Sequence, residues 1–150
     1  VDNSQVIVVK KDAGIATFAD LKDKTVGVQA ASAALELLSE GGDQADLAAT
    51  FGTLQQYPEY NSAFLELAAG SIDAVAMDIG VAQYQIESRG DGFVMLDEKL
   101  ATEQYAVGFK LGNTELRDKL EKTLLEMADD GTVLEIAKEW GLEDQLCIGK

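Results

Sequence analysis

Strand and helix patterns alternate along most of this chain, and that alternation limits its fold more than any other feature. Residues 6–9 and 25–29 are rich in β-branched side chains, and residues 72–78 form an apolar run typical of a buried strand. Helical patterns follow the last two of these strands. This order predicts an α/β fold: a mixed, mostly parallel sheet with helices on both faces.

Weaker patterns complete the predicted sheet. They predict a strand at 50–54, a helix that begins at Asn61 or Ser62 and ends at Gly70, a helix at 81–88, and strands at 93–96 and 105–109.

The C-terminal part has a different pattern, with two amphipathic helices and no strand between them. The first begins at Thr114, and a capping box of Thr132 and Glu135 is expected to open the second. Their apolar stripes are Leu116, Leu120, Leu124 and Met127 on the first helix, and Val133, Ile136, Ala137 and Trp140 on the second. Such stripes must be buried against another surface.

Composition excludes several classes of function. The net charge of -15, from 27 acidic and 12 basic residues in 150, opposes binding to nucleic acid or to anionic membranes. The absence of histidine excludes Ser-His-Asp and Cys-His catalysis, and the single cysteine, Cys147, excludes an internal disulfide and a thiolate zinc site. We therefore expect no catalytic residue, no metal site and no cofactor.

Asp78 ends the apolar run at 72–78, where a carboxylate is costly unless a cation or hydrogen-bond donors meet it. Ligands of open α/β sheets bind beyond the carboxyl ends of the strands, so Asp78 is a candidate for binding an ammonium group. The other interpretation is a helix N-cap, which position alone favours.

The turn after the second predicted strand is a candidate anion site. It contains Gln29, Ser32 and Ala33, and its small side chains leave the backbone N–H groups of a helix start accessible. A plain Ser32 N-cap is the simpler interpretation. One anion site and one cation site at the ends of two strands together suit a zwitterion, such as an α-amino acid, and neither suggests bond breaking.

An ordered set of segments over about 140 residues resembles the type II, family 3 solute-binding proteins of amino-acid ABC importers. The segments are Q-V-I-V-V-K-K-D at 5–12, F-A-D-L-K at 18–22 with K-T-V-G-V-Q at 24–29, A-A-G-S-I-D-A-V at 68–75, Y-A-V-G-F-K at 105–110, and D-G-T at 130–132 with K-E-W at 138–140. The second segment resembles the family pattern S-L-x-D-L-K-G-K-x-V-G-V-Q.

The resemblance implies a role for each candidate residue. Asp78 would bind the α-ammonium group, Ser32 and Ala33 the α-carboxylate, and Gln29 and Met77 the ligand side chain. The family's hinge strands imply a hinge at Val8, Val9, Tyr105 and Val107. The family turn has Gly and Thr where this chain has Ala31 and Ala33, so one hydroxyl contact is lost.

The resemblance also implies a domain organisation. Residues 1–109 would form lobe 2 with both hinge strands, and 110–150 a helical segment that returns to lobe 1. Most of lobe 1 is missing, together with its carboxylate-binding arginine, so the chain is expected to bind an amino acid weakly or not at all. The implied partners are an amino acid, a membrane permease and, through the exposed C-terminal helices, a second copy of the chain.

The resemblance places the protein in the periplasm or outside the cell, with a lipoprotein anchor as an option for the full-length form. Three alternatives remain: a ligand-sensing receptor domain, an enzyme similar to a dehydratase or a lytic transglycosylase, and an interaction domain with a vestigial cleft.

Overall fold

The computed structural model describes residues 1–90 and 92–148. Its strands are β1 (Asp2–Lys10), β2 (Thr25–Gln29), β3 (Thr53–Tyr57), β4 (Ala74–Asp78) and β5 (Phe93–Gln104). Its helices are α1 (Ala33–Leu38), α2 (Ala45–Ala48), α3 (Tyr60–Ala69), α4 (Ile79–Arg89), α5 (Thr114–Asp129) and α6 (Thr132–Glu139), with 3₁₀ turns at Phe18–Leu21 and Glu143–Gln145.

The chain divides into two compact units, residues 4–102 and residues 1–3 with the chain from 103 onward. The predicted boundary after residue 109 differs from this division, which assigns 103–109 to the C-terminal unit. In that unit the N–H of Tyr105 donates to the carbonyl of Val1 over 2.8 Å. This contact ties the chain beyond β5 to the N-terminal residues.

The larger unit is built on a five-stranded sheet with the order β3-β2-β4-β1-β5. Strand β2 runs parallel to both β3 and β4, whereas β1 runs antiparallel to β4. The register places Val28 opposite Ala76 and Gln29 opposite Tyr57. The predicted mixed, mostly parallel sheet is therefore confirmed, and the carboxyl ends of β2, β3 and β4 lie at the same edge.

Both faces of the sheet are covered, because alternate side chains of the central strands enter two separate apolar clusters. Val75 and Met77 belong to the cluster that includes side chains of α3 and α4, and Ala74 and Ala76 to the cluster that includes side chains of α1. The parity of β4 therefore places Asp78 on the α1 side of the sheet.

The predicted strand at 105–109 is wrong. Strand β5 is one continuous element that ends at Gln104, and residues 105–110 form neither strand nor helix. Strand β5 continues through Asp97, Glu98 and Lys99, because an edge strand tolerates charged side chains where one side of it faces solvent.

The C-terminal unit contains α5 and α6, as predicted, but the expected capping box is wrong. Gly131, in the left-handed region at φ 87°, is the N-cap of α6, and Thr132 is its first helical residue. Asp130 Oδ1 accepts a hydrogen bond from the Thr132 N–H over 2.9 Å. Hydrogen bonding from the side chain and from the backbone N–H of Thr132 lowers the pKa of Asp130.

Several apolar side chains of the C-terminal unit are exposed. Trp140 is 73% exposed and Leu116 is 52% exposed, and no residue of α5 is buried. A pocket of about 510 Å³ lies within this unit, lined by apolar side chains that include Tyr105, Val107, Leu120, Leu124, Leu125 and Val133. This unit therefore exposes apolar side chains and contains a mostly apolar pocket.

Candidate functional site

Asp78 is the last residue of β4 and the N-cap of α4, so the cap position inferred from the sequence is correct. Its side chain, however, makes no capping hydrogen bond to α4. Instead Oδ1 accepts a hydrogen bond of 2.9 Å from Nε2 of Gln5, which is fully buried on the antiparallel strand β1. The carboxylate is half-buried and oriented by a neighbouring strand.

Ser32 caps α1, as predicted from the simpler interpretation. Its Oγ accepts a hydrogen bond from the N–H of Leu35 over 3.1 Å and donates to the carbonyl of Gln29 over 2.8 Å. These two bonds fix the turn between β2 and α1. The N–H groups at a helix start have no acceptor within the helix, and Ala33, the first residue of α1, is exposed.

Ala31 adopts a left-handed backbone with φ 56° in this turn. A left-handed conformation costs a residue with a Cβ about 1–2 kcal/mol. The family pattern has glycine at this position, and glycine adopts this conformation without that cost. The departure noted in the sequence is therefore a source of backbone strain beside the candidate site.

Gln29 is half-buried at the end of β2, and its Nε2 donates to the carbonyl of Pro58 over 3.2 Å. The N–H of Ala30 also donates to the carbonyl of Tyr57 over 2.8 Å. These bonds fasten the turn after β2 to the turn after β3. A ligand that used the Gln29 amide would compete with the Pro58 carbonyl.

Tyr60 is a residue of this site that the sequence reasoning missed. It is the first residue of α3 and is 9% exposed. Burial raises the pKa of its phenol, the Ser32 hydroxyl lowers it, and the charge of Asp78 raises it. Tyr60 begins α3 three residues after β3 ends opposite Gln29, which places it at the same sheet edge as the Ser32 turn. The sequence signal that could have identified Tyr60 is its position just after a strand that ends at the same sheet edge.

Met77 has no exposed surface and packs in the apolar cluster with Tyr60 and Phe64. A side chain buried in the core touches a ligand only after repacking, so the contact between Met77 and a ligand side chain stays a prediction. Alternation along β4 explains why Met77 is buried while Asp78 is not, because the two side chains project to opposite faces of the sheet.

The four residues expected at a hinge lie in different surroundings. Val8 and Val9 are fully buried in the centre of the sheet, opposite Val75 and Ala74. Tyr105 and Val107 are about 60% exposed in the C-terminal unit. One boundary between the two units lies between Asn3 and Ser4, within β1. The other lies between Thr102 and Glu103, within β5.

Within residues 1–90 and 92–148, no group of three side chains is arranged to hold a metal ion. In the same part of the chain, no helix is both long and apolar enough to cross a membrane. The groups at the sheet edge are a carboxylate, a primary amide, two hydroxyls and the start of a helix. They can bind the charged ends of a small polar molecule.

Comparison with known proteins identifies the family of this chain. A family model described as "ABC transporter, phosphonate, periplasmic substrate-binding protein" matches residues 2–144. The arginine-binding extracellular protein ArtP of Bacillus subtilis is 34% identical over 139 residues, which are 91% of this chain and 52% of that protein. The chain thus spans about half the length of this curated relative.

Two solved structures have the same fold. A histidine-bound substrate-binding protein of an ABC uptake transporter from Streptococcus pneumoniae superimposes with a TM-score of 0.81 at 30% identity, covering 93% of this chain and 57% of that chain. An ancestral arginine-binding protein bound to arginine has a TM-score of 0.74 at 32% identity, with 93% and 61% covered. The chain belongs to the periplasmic substrate-binding protein family of ABC transporters, and the relatives it resembles are amino-acid-binding members of that family.

Proposed function

We propose that this chain supplies one lobe of an amino-acid-binding site that serves an ABC importer. Asp78 binds the α-ammonium group, Ser32 and the N–H of Ala33 bind the α-carboxylate, and Gln29 contacts the ligand side chain. The observation that carries the proposal is the pairing of an oriented carboxylate with a hydroxyl-capped helix start, beyond the adjacent parallel strands β4 and β2.

A zwitterion fits this site better than a simple anion. Asp78 and the net charge of -15 would repel a doubly charged phosphonate, whereas an ammonium group gains an opposite charge. Arginine is the first ligand to test, because one curated relative and one solved structure are named for binding it. An alkylphosphonate is the matched negative ligand, because the family model is described by phosphonate.

Because the chain spans about half of its relatives, it offers ligand contacts from one lobe only. We therefore expect dissociation constants of roughly millimolar size, about -4 kcal/mol of binding free energy. Titration of the chain with common amino acids, followed by amide chemical shifts, measures them. Micromolar binding would contradict the proposal that the chain holds only half of a binding site. Tighter binding of the alkylphosphonate than of any amino acid would contradict the proposed ligand class.

Two variants localise the binding. Asp78→Asn keeps the size of the side chain and removes its charge, so amino-acid binding is expected to be lost. Asp12→Asn is the control, because Asp12 is an exposed carboxylate in the loop after β1. Equal affinity of the wild type and Asp78→Asn would exclude Asp78 as the ammonium-binding residue.

The proposed role is binding and delivery without chemical turnover. The relatives found are binding proteins, and in the two-lobed form the ligand would bridge the lobes and the closed form would be presented to a membrane permease. The hinge would lie where β1 and β5 pass from one unit to the other, next to Asn3 and Glu103.

The protein would act in the periplasm or outside the cell, with a lipoprotein anchor in the full-length form. Recovery of the unaltered amino acid after incubation checks the absence of turnover.

We also propose that the isolated chain forms a homodimer through its C-terminal unit. The support is the apolar pocket and the exposed side chains around it, since large exposed apolar patches mark association sites. Light scattering at increasing concentration tests this proposal. Leu120→Glu, in the pocket, should give a monomer, whereas Leu65→Glu, on the exposed face of α3, should not. A wild-type monomer at high concentration would contradict the dimer.

A further inference from the structure

Tyr60 lies just beyond the end of β3, at the sheet edge that carries the candidate site. Tyr57 ends β3 opposite Gln29 of β2, and Tyr60 begins α3 only three residues later. The bonds from Ala30 to Tyr57 and from Gln29 to Pro58 fix this short connection against the turn that carries Ser32.

The phenolic oxygen of Tyr60 is buried, and no group of the described residues meets hydrogen-bonding geometry with it. The polar groups that act on the phenol are the Ser32 hydroxyl and the Asp78 carboxylate. The Ser32 hydroxyl donates to the carbonyl of Gln29 and accepts from the N–H of Leu35, so both of these bonds lie within its own turn. A buried hydroxyl without its hydrogen bond costs free energy, and at Tyr60 the neighbouring polar groups belong to the candidate site, whereas at Tyr57 the neighbouring charge is Glu66.

We propose that Tyr60 is a further ligand-recognition residue, whose hydroxyl donates to the α-carboxylate of an amino acid bound at the Ser32 turn. The inference rests on the proposed function. In this arrangement the neutral Tyr60 hydroxyl would lie between two negatively charged groups, the ligand carboxylate and Asp78. The hydroxyl reaches the ligand by a small side-chain rearrangement, which is common when a ligand binds.

This role makes stability and binding respond in opposite directions to one substitution. Tyr60→Phe keeps the ring that packs with Phe64 and Met77 and removes only the hydroxyl. The unfolding temperature of the ligand-free chain is expected to stay the same or rise, because an unpaired buried group is removed. Affinity for arginine is expected to fall by roughly ten-fold, the size of a hydrogen bond to a charged acceptor.

Tyr57→Phe is the matched control. Tyr57 also has a buried hydroxyl without a hydrogen-bond partner among the described residues, and it ends the strand that leads to Tyr60. Burial raises its pKa and so does the charge of Glu66, a residue outside the candidate site. Loss of the Tyr57 hydroxyl is expected to leave the affinity for arginine unchanged.

The experiment compares the wild type, Tyr60→Phe and Tyr57→Phe in titrations with arginine and with its decarboxylated amine, alongside thermal unfolding. Selective loss of arginine affinity in Tyr60→Phe, with amine affinity unchanged, supports the inference. Unchanged arginine affinity, or an equal loss for both ligands, overturns it, whatever the stability of the variant. Failure of the wild type to bind any amino acid overturns the proposed function, and this inference with it.

Discussion

Gln5 on β1 and Asp78 on β4 lie directly opposite each other in the antiparallel pair, and the Gln5 amide donates to the Asp78 carboxylate over 2.9 Å. Because Gln5 is fully buried, this bond uses a core position to orient a group at the sheet edge. The strand that supplies the donor is far from Asp78 in sequence.

We expect Gln5→Met to lower the free energy of unfolding by about 1–3 kcal/mol, since hydrogen bonds to charged groups contribute about that much. A double-mutant cycle with Asp78→Asn, measured by urea unfolding, isolates the pair. A coupling energy of about 1 kcal/mol or more is expected for residues in direct contact. Additive effects of the two substitutions would show that the bond contributes nothing to stability.

Ala31→Gly should stabilise the chain by about 1 kcal/mol, because it removes the strain of a Cβ in a left-handed backbone. Ala33→Gly is the control in the same turn. Ala33 is an exposed helical residue, so glycine there should destabilise by about 0.5–1 kcal/mol. Urea unfolding of both variants measures the signs, and destabilisation by Ala31→Gly would argue against strain at this turn.

Asp23 also has a left-handed backbone, with φ 60°, at the glycine position of the family pattern D-L-K-G-K. Asp23→Gly should therefore stabilise as well. Asp23 lies in a loop before β2, so the gain should add to that of Ala31→Gly. The double variant, compared with the two single variants by thermal unfolding, checks this additivity.

Gly27→Ala should destabilise by about 1–3 kcal/mol through overpacking. A Cβ at Gly27 would lie 2.7 Å from Cδ1 of Ile72 and 3.1 Å from the Tyr57 ring. Ile72→Val removes that Cδ1 atom, so the double variant should lose less than the sum of the two single losses. If the two effects simply add, the contact with Ile72 is not the cause.

Acid should remove a stabilising contribution from Asp20. Its Oδ2 accepts hydrogen bonds from the N–H groups of Ala16 and Thr17, and these bonds lower its pKa from the ordinary value of 3.8. A carboxyl whose pKa falls on folding stabilises the protein above its unfolded pKa, and this contribution is lost as the pH falls through the folded pKa.

The stability difference between the wild type and Asp20→Asn should therefore shrink as the pH falls below about 4. Urea unfolding between pH 7 and pH 3 measures it. Thr17→Val should keep most of the pH dependence, because it removes only the side-chain donor and the backbone donors have the larger effect. A difference for Asp20→Asn that does not vary with pH would contradict this assignment.

Sequence patterns were most reliable where local chemistry decides the structure. The Ser32 cap, the end of α3 at Gly70 and the start of α5 at Thr114 follow from turn and capping preferences. Patterns failed at the predicted capping box of Thr132 and Glu135, and also where the partner is remote. The apolar residues at 105–109 suggested a strand, but β5 ends at Gln104 and residues 105–110 form no strand.

The sequence alone determined the α/β class, the family resemblance and the candidate pair of Asp78 and Ser32, because alternation, capping and ordered motifs are local properties of the chain. Tertiary structure decided which side chains accompany that pair. It placed Gln5 opposite Asp78, buried Met77 on the other face and brought Tyr60 to the same edge. The physical reason is that strand register and side-chain parity depend on residues far apart in sequence, which no local pattern specifies.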